Sequence, residues 1–149
     1  LQGSYTVIYN QRLRERMASR AVQTHYNHLN VLSMHALIAC YSEGGHEWLR
    51  QVLDLLNRNV ETMYNYLQTV EGVEIHRPEA TYMLFPKVDD FADAHGLSHE
   101  ALIKRFWDCG LAVQDGSVFA SPEHLRINVA SPSQLIDMAI ERMQKHVFF

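Results

Sequence analysis

The stretch Val113–Pro132, VQDGSVFASPEHLRINVASP, is the most informative part of this 149-residue chain. Its second half, HLRINV at 124–129, places one arginine between branched apolar residues and predicts a short strand that contains Arg126. A guanidinium stays charged in proteins, so an arginine in an apolar strand needs an anionic partner. Its planar fork of N–H donors suits bidentate binding of a carboxylate. From spacing alone, an internal ion pair or a solvent-facing arginine explains the pattern better than a binding site does.

The first half of the chain predicts one strand followed by helices. Ser4–Tyr9 is rich in β-branched and aromatic residues and predicts a strand. Asn10–Arg20 predicts an exposed helix capped by Asn10. Val31–Tyr41 is apolar and predicts a largely buried helix that ends at the glycine pair 44–45. Residues 46–70 carry apolar side chains every three or four positions, which predicts a long amphipathic helix.

The second half alternates short strands with helices. Ser98–Cys109 predicts a helix capped by Ser98, with Leu102, Phe106 and Trp107 turned inward. Ser131 and Gln134 predict a capping box at the start of the last helix. Four short segments are typical of strands: Val73–His76, Thr81–Pro86, Leu111–Gln114 and His124–Val129.

The order of these segments predicts an α+β fold. We expect a small, mainly antiparallel sheet with helices packed on one face, together with long N-terminal helices. At 149 residues and 47% hydrophobic composition, the chain can bury one core without disulfides.

Composition narrows the class of protein. The formal net charge is −4 and no basic block is present, which argues against nucleic acid as a partner. No apolar run reaches the roughly 18 to 20 residues that a membrane-spanning helix needs. The two cysteines, Cys40 and Cys109, are far apart and do not form a disulfide framework, so we expect a reducing, cytoplasmic setting.

The 113–132 stretch resembles the C-terminal block of fold-type I pyridoxal-phosphate (PLP) enzymes. In that family a Gly-Ser-x-Phe-like loop leads into a strand whose arginine binds the α-carboxylate of the amino-acid substrate. The resemblance therefore implies that Arg126 binds substrate. Asp115 departs from the proline that the family commonly has before the glycine. The matching residues are Gly116, Ser117, Phe119, Arg126 and Asn128.

Two further stretches resemble the same family. TYMLFP, from Thr81, is similar to the strand that begins the small-domain sheet, and its Tyr82 would lie near the entrance of the site without an assigned role. LQGSYTVIY is similar to the strand that follows the Schiff-base lysine, which would place Leu1 a few residues after that lysine. The resemblance implies that 1–149 is one C-terminal domain of a larger enzyme, with 1–30 a remnant of the large domain and 31–149 the small domain.

The chain has three lysines, and none fits the Schiff-base role. Lys87, Lys104 and Lys145 lie outside any small-residue, hydroxyl-rich loop, and none matches the family's lysine motif. We therefore expect no catalytic or PLP-binding residue within this chain. The isolated chain is predicted to be inactive and to bind no PLP.

The resemblance is greatest to the cystathionine β-lyase-like C–S lyase branch of the class I/II aminotransferase family. It implies a homodimeric parent enzyme that uses PLP to cleave sulfur amino acids. A PLP-dependent aminotransferase is the first alternative, because both reactions need carboxylate binding. A non-enzymatic helical binding or regulatory module is the second, since the long apolar helix and the absence of catalytic pairs favour it.

The nine histidines raise the question of a metal site. His95 and His99 are four residues apart and His25 and His28 three apart, but neither pair has the spacing of a known zinc motif, so no metal is predicted. Aromatic residues at helical spacing are typical of a core. If a large domain normally covers some of them, an exposed apolar patch should remain.

Overall fold

The computed structural model describes residues 3–25 and 28–149. The chain divides into two compact units, Leu1–Arg50 and Gln51–Phe149. The helices are α1 (Gln11–Thr24), α2 (Val31–Cys40), α3 (Glu43–Leu67), α4 (Asp89–Ala94), α5 (His99–Asp108) and α6 (Ser133–His146). The strands are β1 (Met83–Leu84), β2 (Gln114–Asp115) and β3 (Leu125–Asn128), with a 3₁₀-helix at Gly116–Phe119.

The first unit begins with extended chain and α1. Asn10 caps α1 as predicted, because its Oδ1 accepts a hydrogen bond from the Leu13 N–H at 2.9 Å. The strand predicted at Ser4–Tyr9 is wrong: these residues form no β-ladder with any described residue. A strand exists only when a neighbour satisfies its backbone groups, and residue composition alone does not supply one.

The predicted α2 is present, but its predicted burial is wrong. Ser33 is its only buried residue, whereas Leu32 and Ile38 are 67% and 64% exposed. The glycine pair does not end a helix either, because it lies in the first turn of α3. A Cβ on Gly45 would come within 2.4 Å of the Cys40 carbonyl oxygen, so glycine allows the two helix ends to approach this closely.

The second unit contains an antiparallel sheet in the order β1-β3-β2. The observed strands are shorter than the predicted segments. Val73–His76 is not a strand and contributes only an isolated bridge between Glu74 and Lys87. The paired positions are Met83 with Asn128, Leu84 with Ile127, Gln114 with Arg126, and Asp115 with Leu125.

One hydrophobic core lies against one face of this sheet, as the α+β prediction requires. Leu84, Leu125 and Ile127 point from the strands into it, and Met63, Leu102, Phe106 and Met143 are among the helical residues that cover them. These side chains are at most 6% exposed. The opposite face of the sheet does not pack against this core, and Arg126 lies on that face.

Two details of the predicted helices are wrong. Trp107 is 59% exposed, because neighbouring residues on a helix point about 100° apart and Phe106 occupies the core position. Ser131 does not cap α6. Its N–H bonds to the Val129 carbonyl at 2.9 Å, and the helix begins two residues later with Pro132 as the capping residue.

The boundary between the two units falls inside α3, at Arg50, rather than at residue 30. Compactness and family membership are different criteria, so the assignment of 1–30 to a large domain and 31–149 to a small domain stays a prediction. Within the part of the chain that the structure describes, no helix is both long and apolar enough to cross a membrane.

Candidate functional site

The strand β3 presents two chemically different faces. Leu125 and Ile127 are buried in the core, whereas Arg126 is partly exposed and Asn128 is exposed on the other side. This alternation follows from the two-residue period of a strand. The tertiary packing therefore turns the guanidinium of Arg126 away from the core.

Pairing across the sheet fixes the neighbours of Arg126. Gln114 on β2 lies directly opposite it. On the other side, the β1–β3 register continues beyond the strands through a hydrogen bond from Leu125 N–H to the Pro86 carbonyl at 3.0 Å. An isolated bridge between Lys87 and His124 continues the same register. In this register Phe85 lies opposite Arg126.

The guanidinium of Arg126 lies over an aromatic ring. Its Cζ lies 4.6 Å from the ring centroid of Phe119, within the range of a cation–π interaction. Among residues 3–25 and 28–149, no carboxylate forms an ion pair with Arg126. The predicted alternative of an internal ion pair is therefore absent from the described structure, and the N–H donors can bind an external anion.

The 3₁₀-helix that carries Phe119 is held by Asp115 and Gly116. The N–H of Ser117 donates to Asp115 Oδ1 at 2.8 Å, and this hydrogen bond lowers the pKa of the Asp115 carboxyl from its ordinary value. The φ of Asp115 is −66°, the value that proline would impose, so the departure from the family's proline keeps the backbone conformation. A Cβ on Gly116 would lie 2.2 Å from the Ser121 carbonyl oxygen, which requires glycine there.

Two more rings complete this face of the sheet. The Phe85 ring makes an edge contact with Phe119, with centroids 6.1 Å apart. It also stacks on the His124 ring at 4.7 Å and an interplanar angle of 10°. We call Phe85, Phe119, His124 and Arg126 the aromatic–arginine cluster.

Asn59 fixes the backbone that follows β3, and the sequence did not predict this role. It is 1% exposed, and its Nδ2 donates to the carbonyls of Val129 at 2.9 Å and Ser131 at 2.7 Å. Its Oδ1 accepts from Ser133 Oγ at 2.9 Å. These bonds fix the chain where β3 ends and α6 begins. An asparagine on the apolar face of a long helix, three residues after Leu56, was the available signal.

The lysines do not fit a Schiff base. Lys87 Nζ lies 3.3 Å from Asp89 Oδ1, and hydrogen bonding to Asp89 raises the pKa of Lys87, the opposite of what a nucleophilic lysine needs. Lys104 bonds to both carboxylate oxygens of Asp108, at 2.6 and 2.8 Å. Lys145 is exposed near the end of α6.

The histidine pairs considered for a metal have separate contacts. His95 Nδ1 lies 2.8 Å from the Phe91 carbonyl, and His99 Nε2 lies 3.4 Å from Asp115 Oδ1. His25 ends α1 in a left-handed conformation. Within the described ranges, no group of three or more His, Cys, Asp or Glu side chains could hold a metal ion.

Tyr82 is 39% exposed, and its carbonyl accepts from the Val129 N–H at 3.0 Å.

Comparison with known proteins identifies the family of the chain. The family model of aminotransferase class I and II matches residues 1–143. The chain belongs to this family. Family members are PLP-dependent enzymes, and several structural neighbours have PLP bound.

Individual relatives agree with this assignment. The chain is 28% identical over 117 residues to aspartate aminotransferase of Bacillus sp. (strain YM-2), which covers 77% of this chain and 30% of that protein. It matches a PLP-bound putative aminotransferase from Clostridium difficile 630 with a TM-score of 0.77 and 24% identity over 96% of this chain and 36% of that one. A PLP-bound C–S lyase from Staphylococcus hominis gives a TM-score of 0.76 and 22% identity over the same two shares. This chain thus spans about a third of the length of the family members it matches.

Proposed function

We propose that the complete polypeptide is a PLP-dependent C–S β-lyase acting on sulfur amino acids, and that Arg126 binds the substrate's α-carboxylate. One observation carries the role of Arg126: its guanidinium is partly exposed on the open sheet face and has no carboxylate partner among the described residues. A bidentate guanidinium–carboxylate pair would satisfy that charge. The lyase branch is supported by the sequence resemblance, and the likeness to C–S lyase structures supports the fold.

The residues of this chain do not fit the role of holding PLP. All three lysines are paired or exposed, and the pKa of Lys87 is raised. We therefore assign the cofactor's lysine and its other ligands to sequence outside this chain and derive no step through the cofactor. On this proposal the isolated chain is inactive and the parent is a cytoplasmic homodimer.

The contribution of this chain is to bind and orient the amino acid. A bidentate contact at Arg126 fixes the carboxylate plane, and this limits rotation of the bonds at the α-carbon. In the complete enzyme, cleavage of the substrate's Cβ–S bond would release a thiol, and hydrolysis of the remaining three-carbon fragment by one water molecule would give pyruvate and ammonia. Orientation of this kind lowers the barrier without any proton transfer by Arg126, which stays charged.

Arg126→Ala in the complete, PLP-loaded polypeptide tests the binding role. We expect KM for the amino acid to rise about ten- to hundredfold, as loss of a charge-assisted hydrogen-bonded pair predicts. The PLP absorbance should be unchanged, because Arg126 is not assigned to the cofactor. Steady-state kinetics and absorbance spectra measure both, with the exposed Arg58→Ala as control. An unchanged KM in Arg126→Ala would refute the role.

An aminotransferase is the second candidate function. It is favoured by the sequence relatives, several of which are aspartate aminotransferases. Carboxylate binding serves both reactions, so Arg126 does not discriminate between them. Pyruvate release from cystathionine, compared with amino-group transfer to a keto acid, distinguishes the two in the complete polypeptide. Membership of the family favours either enzyme over the non-enzymatic helical module.

A further inference from the structure

Phe119 is a large apolar side chain whose placement the core does not explain. It is 43% exposed on the 3₁₀-helix and does not belong to the hydrophobic core. Its ring centroid lies 4.6 Å from Arg126 Cζ and 6.1 Å from the ring centroid of Phe85. The ring of Phe119 therefore contacts other members of the aromatic–arginine cluster rather than the hydrophobic core.

The backbone that carries Phe119 is fixed on both sides. Asp115 caps the 3₁₀-helix in front of it, and Ala120 follows in a left-handed conformation with φ 58°. The N–H of Ala120 bonds to the Ser117 carbonyl at 3.1 Å. The turn therefore restrains the backbone position from which the Phe119 ring extends.

Stacking affects the guanidinium in a specific way. A guanidinium whose central carbon lies over a ring can pack its flat face on that ring, and its five N–H groups, which donate within the plane, then stay available. An aromatic partner can therefore fix the orientation of an arginine without occupying a donor, which a carboxylate partner would do.

We propose that Phe119 is a positioning residue that holds the Arg126 guanidinium in the orientation that binds the substrate carboxylate. The inference rests on the proposed function, since it assumes that Arg126 binds this group. Phe119 acts through Arg126 and is assigned no contact with the reacting atoms.

The chain contains a matched control for this contact. The Arg105 guanidinium lies over the ring of Phe149, with its Cζ 5.1 Å from the ring centroid, and Phe149 is 70% exposed. Arg105 also donates to the Val147 carbonyl at 3.5 Å. Phe149→Leu therefore removes a comparable contact from an arginine with no proposed role in substrate binding.

The first experiment measures the stacking in the 149-residue chain. The Nε–Hε resonance of Arg126 should be shifted upfield by the Phe119 ring in the original chain and in Phe119→Tyr. In Phe119→Leu it should move toward the random-coil position, while Phe149→Leu leaves it unchanged. A resonance that does not respond to Phe119→Leu would overturn the proposal.

The second experiment measures the consequence in the complete PLP-loaded polypeptide. Phe119→Leu should raise KM for the amino acid about two- to fivefold, the size expected for an exposed cation–π contact, with kcat little changed. Phe119→Tyr should restore the original KM, and Phe149→Leu should not alter it. An unchanged KM in Phe119→Leu, or a fall confined to kcat, would also overturn the proposal.

The two proposals fail separately. If Arg126→Ala leaves KM unchanged, the carboxylate-binding role itself is refuted. If Arg126→Ala raises KM and Phe119→Leu does not, Arg126 binds substrate without help from Phe119. Only the positioning role of Phe119 is then refuted.

Discussion

The side chain of Tyr66 places a polar hydroxyl group in a buried position. Its hydroxyl oxygen is buried, and it has no hydrogen-bond partner among the described residues, although the ring is only partly buried. Burial raises the pKa of Tyr66 to about 12, because ionisation would place a charge where water does not reach. An unpaired buried hydroxyl destabilises the folded state.

Tyr66→Phe is expected to leave stability at neutral pH unchanged or to increase it by up to about 1 kcal/mol. Urea unfolding measures the effect. The matched control is Tyr64→Phe, which removes a hydroxyl that bonds to Gln68 Nε2 at 2.7 Å. A loss of more than about 1 kcal/mol in Tyr66→Phe would show that the hydroxyl has a partner.

The same variant should change the response to alkaline pH. Unfolded tyrosine ionises near its ordinary pKa of about 10, whereas folded Tyr66 stays protonated to about 12. The folded state therefore binds more protons between these values, and its stability falls as pH rises through this window. Unfolding midpoints at about pH 9 and 11.5 should differ more in the original chain than in Tyr66→Phe.

At the scale of elements, one junction connects the longest helix to β3. Asn59 on α3 binds the carbonyls of Val129 and Ser131 at the end of β3. Nearby, Asn128 Oδ1 accepts from the Ala130 N–H at 2.8 Å and closes the turn that leaves the strand. These hydrogen bonds restrain the backbone that follows β3, and the 3₁₀-helix precedes the strand, so Arg126 lies between two restrained segments.

Asn59→Ala should destabilise the second unit by about 3 kcal/mol, because it leaves buried carbonyls and a serine hydroxyl without a partner. Urea unfolding followed by circular dichroism measures the loss. Asn57→Ala, at an exposed position of the same helix, should change stability by no more than about 0.5 kcal/mol. Equal effects of the two substitutions would contradict the role of Asn59.

At the scale of the whole molecule, α2 is a helix that exposes several large apolar side chains. Four of its large side chains are 45% to 67% exposed. Contiguous exposed apolar surface in a water-soluble domain marks a site of interaction or aggregation. The exposed residues expected from the sequence were aromatic ones on other helices, and of these Trp48 and Trp107 are 65% and 59% exposed. The exposed side chains of α2 are Val31, Leu32, Met34 and Ile38.

The double variant Leu32→Gln and Ile38→Gln tests this surface. The original chain should bind an anilinonaphthalene sulfonate dye, and the variant should lower the dye fluorescence, since it removes two of the four large exposed apolar side chains of α2. Far-ultraviolet circular dichroism should be unchanged. The control is the double variant Asn57→Gln and Arg58→Gln on the exposed side of α3, which should leave the dye fluorescence unchanged. If the control lowered the fluorescence as much as the α2 variant does, the assignment of dye binding to α2 would be refuted.

Much of the fold was predictable because local signals and packing agree. Asn10 and Ser98 cap helices where the sequence places them, and α3 follows its apolar period. The failures share a cause. Ser4–Tyr9 has strand composition without a pairing partner, and α2 has core composition without a covering surface.

The sequence by itself determined the α+β class, the family resemblance and the choice of Arg126, because a charged residue in an apolar strand is visible in the order of residues. Only the tertiary structure decided that Arg126 leaves the core, lies opposite Phe85 and has its guanidinium over the Phe119 ring. The physical reason is that strand register and turn geometry depend on hydrogen bonds between residues far apart in the chain. Asn59 illustrates this, because its partners are 70 or more residues away.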